Sequence, residues 1–294
     1  MATNSNWHSG YGKVILFGEH FLVYGNPGIA APLSQKIEIM AEMADKKTLK
    51  AHRESDWAVK AAIAEHLGIS DGFKLHVKGD LPLSMGLGSS AAFCAAAARA
   101  LNDLFSLKLS DEEINDAAYS GEVVNHERPS GIDNTVATFG TMIFYAKQSG
   151  FTNLDPVEIP IVLAGVPRNK LTKDAIMHFR QVKERNPGLF TKHSLAAAAI
   201  AYDARQAIEN KDLQKLGHLM DMNHALLRDF GVSDERTERA ITIAKEAGAS
   251  GAKITGAGFG GFIIALTPHH QDKVASALSK AGYQVIISTI GGKP

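Results

Sequence analysis

The sequence contains one cysteine, has no net charge and lacks a long apolar run, and each of these features excludes a class of protein. Cys94 has no second cysteine to pair with, so no internal disulfide forms, and its apolar surroundings favour a buried thiol over a nucleophile. The 31 basic residues balance the 31 acidic ones, which argues against a nucleic-acid partner or a membrane-binding surface. We find neither a signal-peptide pattern nor 18 consecutive apolar residues. We therefore expect a cytoplasmic protein that acts on a small molecule.

The pattern of apolar residues predicts an α+β protein with two domains. Strand-like patterns over 13–17 and 36–43 come first, helical patterns fill most of 172–247, and short strands return near the end of the chain. The 294 residues suffice for two ordinary domains. We place the domains at 1–160 and 161–294.

The segment from Pro82 to Ala92, with the sequence PLSMGLGSSAA, is the most informative stretch of the chain. A glycine-rich turn opens there onto a helix of small residues, which we expect over about 89–105. Glycines let backbone N–H groups approach an anion closely, and the first helical turn adds the positive end of the helix dipole. The segment matches neither a P-loop nor a dinucleotide fingerprint. It predicts a phosphate-binding loop, with an ordinary strand-to-helix turn as the alternative.

Two carboxylates follow this loop. A capping box formed by Ser110 and Glu113 predicts a helix that reaches about His126, with Glu122 near its end. Asp133 comes 11 residues after Glu122, across a turn that can return the chain to the same site. One carboxylate could hold Mg²⁺ and the other could face a substrate hydroxyl. Two unrelated surface acids are the alternative, which the spacing alone does not exclude.

Two further motifs contain glycine. The segment from Gly12 to His20, GKVILFGEH, ends an apolar strand with a Glu-His pair, which fits either a cleft or a solvated strand end. The segment from Lys253 to Gly261, KITGAGFGG, lies between two strand-like runs. Such a hairpin admits a ligand or another backbone at close range, or is a tight turn only.

The order of four motifs resembles the GHMP small-molecule kinases, and among these the mevalonate kinases most closely. The four are KVILFGEH from Lys13, GLGSSAA from Gly86, PSGIDN from Pro129 and KITGAGFGG from Lys253. Together they span nearly the whole chain. The first and third are the more specific, because the other two would indicate only the superfamily.

This resemblance implies a fold and an activity. The fold is the two-domain GHMP kinase fold, with an N-terminal ribosomal-protein-S5-like α/β domain, a C-terminal ferredoxin-like α+β domain and the active site in the interdomain cleft. The activity is phosphorylation of mevalonate at its 5-hydroxyl in isoprenoid synthesis, with ATP and Mg²⁺ as cofactors. A homodimer is expected on the same ground.

The resemblance also implies roles for residues at the matching positions. The backbone of the loop binds the ATP phosphates through Gly86, Leu87, Gly88, Ser89 and Ser90. The resemblance implies that Ser90 and Glu122 bind Mg²⁺ and that Asp133 and Lys13 are the catalytic residues, with Lys13 beside Asp133 to stabilise the oxyanion and keep that carboxylate ionised. The substrate is bound by Glu19, His20, Arg168, Gly256 and Ala257.

Two residues depart from the family pattern. Ser84 replaces the first glycine of the phosphate loop, and Glu127 replaces the glycine that follows His126 in the mevalonate kinase pattern. A carboxylate at 127 could repel an anionic substrate or pair with Arg128. A kinase for phosphomevalonate, for the 3-hydroxyl of mevalonate or for a sugar therefore stays open, as does a sensor that binds ATP without turnover. The joint presence of the catalytic groups argues against the sensor.

Overall fold

The structure is a computed structural model of the chain. It describes residues 6–45, 54–82, 85–125, 129–168 and 170–292. Ser84 and Glu127, the two departures from the family pattern, lie outside the described residues.

The chain divides into two compact units. Residues 1–13 and 32–140 form the first unit, and residues 14–31 and 141–294 form the second. This division rests on contacts within the chain; the two-domain boundary near residue 160 stays a prediction.

In its described residues, the first unit combines strands with four helices. Its elements include parts of β1 (His8–Phe17) and β2 (Gly28–Met43), then α1 (Glu54–His66), β3 (Phe73–Gly79), α2 (Ser89–Leu104), α3 (Asp111–Asn125) and α4 (Ile132–Phe139). Strand β3 pairs antiparallel with β2, with Phe73 opposite Met43. Helix α2 packs against α1, α3 and α4. Its buried face consists mainly of alanines, whose small side chains permit these close approaches.

The start of α3 confirms the predicted capping box. The amide of Glu113 donates to Ser110 Oγ at 3.2 Å, and the amide of Ser110 donates to Glu113 Oε2 at 2.8 Å. The two side chains thus satisfy backbone donors that the helix cannot.

Helix α4 was not predicted from the sequence, which indicated only a turn after Pro129. Gly131 serves as the N-cap of α4 in a left-handed conformation with φ +79°. Asp133 is consequently the second residue of a helix, where a carboxylate interacts favourably with the helix dipole.

The second unit is built on a four-stranded antiparallel sheet. Its elements after a 3-10 turn (Leu22–Tyr24) are β4 (Ile143–Ala146), β5 (Gly150–Asn153), β6 (Ile159–Val166), α5 (Thr172–Arg185), α6 (Pro187–Glu209), α7 (Leu213–Asp229), α8 (Glu235–Glu246), β7 (Gly251–Thr255), β8 (Gly261–Leu266), α9 (Gln271–Lys280) and β9 (Gln284–Ile290). Strands β9, β6, β8 and β7 are antiparallel neighbours in that order, while β4 pairs antiparallel with β5 and with the start of β2 at Gly28. This is the ferredoxin-like arrangement that the resemblance implied.

Two hydrophobic cores are seen among the described residues of the second unit. One lies between the sheet and helices α8 and α9, where Val162, Ile263 and Leu278 are fully buried. The other contains Phe179 and Phe230, whose ring centroids are 4.2 Å apart. Within the described ranges, no helix is both long and apolar enough to cross a membrane.

Candidate active site

The phosphate loop of the first unit leads directly into α2. Gly88 is the N-cap, with φ +75°, and Gly86 has φ +88°. A Cβ on Gly88 would lie 2.7 Å from Cγ of Lys13, so this position requires glycine both for its conformation and for space. The start of a 16-residue helix lies at the end of the loop, and backbone amides at such a terminus favour a bound anion.

Lys13 connects this loop to α4. Its amide donates to the carbonyl of Leu87 at 2.9 Å, and its ammonium lies 2.9 Å from Oδ1 of Asp133. Lys13 is buried, whereas 37% of the Asp133 side chain is exposed. The ion pair therefore presents an accessible carboxylate beside a shielded cation, next to the start of α2.

Ser90 and Glu122 meet on the other side of that helix start. The Ser90 hydroxyl donates to Oε1 of Glu122 on α3, and the carboxylate is buried. The sulfur of Cys94 lies 3.9 Å from the same oxygen. Burial, with a smaller effect of the Glu122 charge, raises the pKa of the Cys94 thiol well above its usual value. Cys94 is a buried, free thiol, as its apolar surroundings predicted.

The two carboxylates that sequence spacing could not place together thus belong to one region. Asp133 contacts Lys13, Lys13 packs on Gly88, and two residues further along α2 Ser90 contacts Glu122. A hydroxyl and a carboxylate are hard oxygen donors, the type that Mg²⁺ binds together with phosphate oxygens. Among the described residues, no group of three or more His, Cys, Asp or Glu is placed so that it could hold a metal ion.

The turn after β1 carries His20 in the second unit. His20 has φ +61°, an uncommon conformation for a residue with a side chain. Its Nε2 lies 2.9 Å from the carbonyl of Ala257, and its ring stacks on Phe179 with centroids 4.6 Å apart. Burial lowers the pKa of His20 below its ordinary value, although the bond to Ala257 opposes this shift. Since a carbonyl oxygen only accepts, Nε2 of His20 donates to the glycine-rich hairpin.

Glu19 precedes His20 and points into the second unit. Its carboxylate forms an ion pair with Lys253, and both side chains are almost completely buried. Asn223 donates to the other carboxylate oxygen at 3.3 Å, and the Lys253 ammonium also donates to the carbonyl of Ile254. Both oxygens of Glu19 therefore have protein partners, and its predicted contact with substrate stays a prediction.

The remaining predicted residues lie along the hairpin between β7 and β8. Gly256 has φ +88° and open space where a Cβ would stand. The exposed Arg168 donates to Thr172 Oγ1 at 3.3 Å, and its guanidinium lies close over Gly261. Ala257 thus belongs to this hairpin, and His20 and Arg168 both contact it.

Comparison with known proteins gives the family. The model of the GHMP kinases N terminal domain matches residues 55–141, and that of the GHMP kinases C terminal matches residues 204–284. The chain is 35% identical to a mevalonate kinase of Pyrococcus furiosus, over 95% of this chain and 94% of the relative. The chain belongs to the GHMP kinases. The resemblance in the sequence is thereby confirmed.

Solved structures agree with this assignment. The GHMP kinase described here matches the crystal structure of L. major mevalonate kinase in complex with R-mevalonate with a TM-score of 0.89 and 31% identity. The match covers 98% of this chain and 97% of that one. A Lactococcus lactis galactokinase, 20% identical, matches with a TM-score of 0.77 over 98% of this chain and 94% of that one, which shows the fold alone. The two-domain GHMP kinase fold is therefore confirmed.

Sequence reasoning missed residues that contact Glu19 or lie in the hairpin between β7 and β8, namely Lys253, Asn223 and Phe259. Lys253 stood in a quoted motif without a role, although a lysine within an apolar strand is itself a signal of a buried partner. Asn223 and Phe259 carried no such signal. Their positions follow from packing between segments far apart in the chain.

Proposed function

We propose that this protein transfers the γ-phosphoryl group of ATP to the 5-hydroxyl of mevalonate, an early step of isoprenoid synthesis. The ion pair of Lys13 and Asp133 beside the start of α2 carries the proposal, since an accessible carboxylate next to a glycine-rich helix start would suit an alcohol that attacks a bound phosphate. The 35% identity to a mevalonate kinase over nearly the whole chain supports the substrate.

Asp133 accepts the proton of the attacking hydroxyl. A carboxylate is too weak a base to deprotonate an alcohol beforehand, so the proton moves late, as the phosphoryl group is transferred through a loose transition state. Lys13 holds the carboxylate in place and supplies positive charge beside the reacting oxygen. Positioning and charge compensation then provide most of the rate.

The phosphates are bound by the backbone from Gly86 to Ser90. Ser90 and Glu122 would hold Mg²⁺, which when bound neutralises the charge on the phosphate oxygens. Leu87 and Gly88 fix this loop against Lys13, because both contact it. The loop and the catalytic pair are therefore held as one arrangement within the first unit.

The substrate-side residues are His20, Arg168, Gly256 and Ala257. The Arg168 guanidinium suits the mevalonate carboxylate, since its planar fork matches two carboxylate oxygens. Glu19, whose oxygens are bonded to Lys253 and Asn223, contributes by fixing the turn that carries His20.

Product analysis tests the proposal. Purified protein is incubated with Mg-ATP and one candidate substrate at a time: mevalonate, phosphomevalonate or a sugar. The phosphorylated carbon of each product is identified by NMR. We expect 5-phosphomevalonate from mevalonate alone. Transfer of phosphate to a sugar, to phosphomevalonate or to the 3-hydroxyl of mevalonate would contradict the proposed reaction. ATP binding without any phosphorylated product would indicate a sensor.

Other properties of the protein stay predictions from its sequence. These are a cytoplasmic location, a homodimer, and the lack of nucleic-acid and membrane partners.

A further inference from the structure

The segment that follows β6 lies directly along the hairpin between β7 and β8. A Cβ on Gly260 would clash with the carbonyl oxygen of Pro167, and a Cβ on Gly261 would come within 3.2 Å of Nε of Arg168. Both glycines also have positive φ angles. The hairpin thus requires glycine at these two positions to let the segment carrying Arg168 approach.

Phe259 breaks the run of glycines in this hairpin. Its φ is +53°, a conformation that costs energy for a residue with a Cβ, whereas the glycines on either side adopt positive φ freely. Its amide donates to the carbonyl of Val232 at 2.8 Å, which holds the strained backbone in place. Strain of this kind persists where the surrounding structure imposes it, and it is concentrated at functional sites. A role for the side chain would account for a phenylalanine at this strained position, where glycine would fit the backbone better.

The ring of Phe259 supports a second cation. The Lys170 ammonium lies 3.9 Å from the ring centroid, in the range of a cation–π contact. The edge-to-face contact with His178, at 5.1 Å between centroids, fixes the orientation of the ring. Lys170 is exposed and Phe259 is buried, so the ring forms a fixed base beneath a cation that is open to solvent.

We propose that Lys170 is a second binding residue for the carboxylate of mevalonate, together with Arg168, and that Phe259 is the positioning residue that holds it there. Arg168 lies over Gly261 and Lys170 over Phe259, so the two cations stand along the same loop that bonds to His20 through Ala257. A monoanionic carboxylate is attracted by both, and the stacked lysine is already oriented before substrate binds. This inference rests on the proposed function.

Steady-state kinetics of single variants test it. Lys170→Ala is expected to raise the KM for mevalonate by about tenfold, as loss of a bond between charged groups predicts. The kcat and the KM for ATP stay unchanged, because the contact is equal in ground and transition states. Lys173→Ala is the matched control, since Lys173 is also exposed and lies at the start of α5. It should have the kinetics of the unaltered enzyme.

Variants at Phe259 test the positioning role. Phe259→Gly removes the ring and relieves the backbone strain, but it also removes a buried side chain of the core that contains Phe230, so we expect a raised KM for mevalonate together with a lower melting temperature. Phe259→Leu removes the aromatic face while keeping a side chain, and should also raise the KM. The double variant Lys170→Ala/Phe259→Gly should be no worse than Lys170→Ala, because Phe259 acts through Lys170. Lys170→Arg, which keeps a cation that stacks on the ring, should restore most of the affinity.

The outcomes separate this inference from the proposed function. Unaltered enzyme that fails to phosphorylate mevalonate rejects the proposed function. Active enzyme whose mevalonate KM is insensitive to Lys170→Ala rejects only the role of Lys170, as does a change confined to the KM for ATP. Effects of Lys170→Ala and Phe259→Gly that add fully in the double variant reject the positioning role of Phe259.

Discussion

Glu19 and Lys253, 234 residues apart in the sequence, form an ion pair that is buried on both sides. Burial removes the hydration of both charges, and their attraction does not always compensate for that loss. The pair joins the turn that carries His20 to strand β7, which leads into the glycine-rich hairpin. We regard it as a fixed connection between two parts of the candidate substrate side.

Removal of one charge from this pair should destabilise the protein more than removal of both charges. Lys253→Met leaves the Glu19 charge buried without its cation and should lower the free energy of unfolding by about 3–5 kcal/mol. The double variant Glu19→Gln/Lys253→Met should be markedly more stable than Lys253→Met, because both charges are gone and the amide oxygen introduced at position 19 can still accept from Asn223. Denaturant unfolding measures both. Removal of one charge from the exposed pair of Arg180 and Glu184 is the control. Equal losses of unfolding free energy for the single and the double variant at positions 19 and 253 would contradict the argument.

Asp133→Asn should lower kcat by about a hundredfold or more, since a general base contributes this much. The amide cannot take the proton, while its size leaves the loop around Gly88 intact. ATP binding measured by calorimetry should stay close to that of the unaltered protein. Asp116→Asn, at an exposed position of α3, is the control. A kcat unchanged by Asp133→Asn would remove this residue from the mechanism.

Glu122→Gln should raise the Mg²⁺ concentration that gives half-maximal velocity. The substitution removes the charge of a buried carboxylate that contacts Ser90, and Mg²⁺ prefers charged oxygen ligands. Excess Mg²⁺ should recover part of the activity. Glu112→Gln, on the exposed first turn of α3, should behave like the unaltered protein. Equal Mg²⁺ dependence of the two variants would exclude Glu122 as a ligand.

The sequence predicted best what depends on neighbouring residues. The capping box at Ser110 and the start of α2 at Ser89 follow from local chemistry, and the structure has both. Helix α4 was missed because Pro129 and Gly131 are signals of a break, whereas here Gly131 is the N-cap of a new helix that begins at Ile132. Asp133, the proposed catalytic carboxylate, lies in that missed helix, so resemblance rather than spacing suggested its role.

The contacts of Glu19 and Lys170 could not be predicted in the same way. Glu19 pairs with Lys253, which lies more than 200 residues away in the sequence, and Lys170 stacks on Phe259 of the hairpin between β7 and β8. Each pair depends on how distant segments pack, which no local pattern encodes. The same holds for Ser90 and Glu122, whose contact joins two helices.

His224 should make stability depend on pH. Its Nδ1 is buried without a hydrogen-bond partner in the described part of the chain, and its Nε2 lies 2.9 Å from Glu238. Burial lowers the pKa of His224 below its ordinary value, and nearby Lys253 adds to this effect although Glu238 opposes it. The folded protein therefore binds this proton less readily than the unfolded chain.

The sign of the effect follows from that difference. The contribution of His224 to stability is complete above the unfolded pKa of about 6.5 and is lost as the pH falls towards the folded value. The loss proceeds at no more than about 1.4 kcal/mol per pH unit. Urea unfolding at pH 7.5 and 5.5 should thus show a smaller drop for His224→Gln than for the unaltered protein, with exposed His66→Gln as control. An equal drop in all three would mean that His224 takes up its proton as readily in the folded protein as in the unfolded chain.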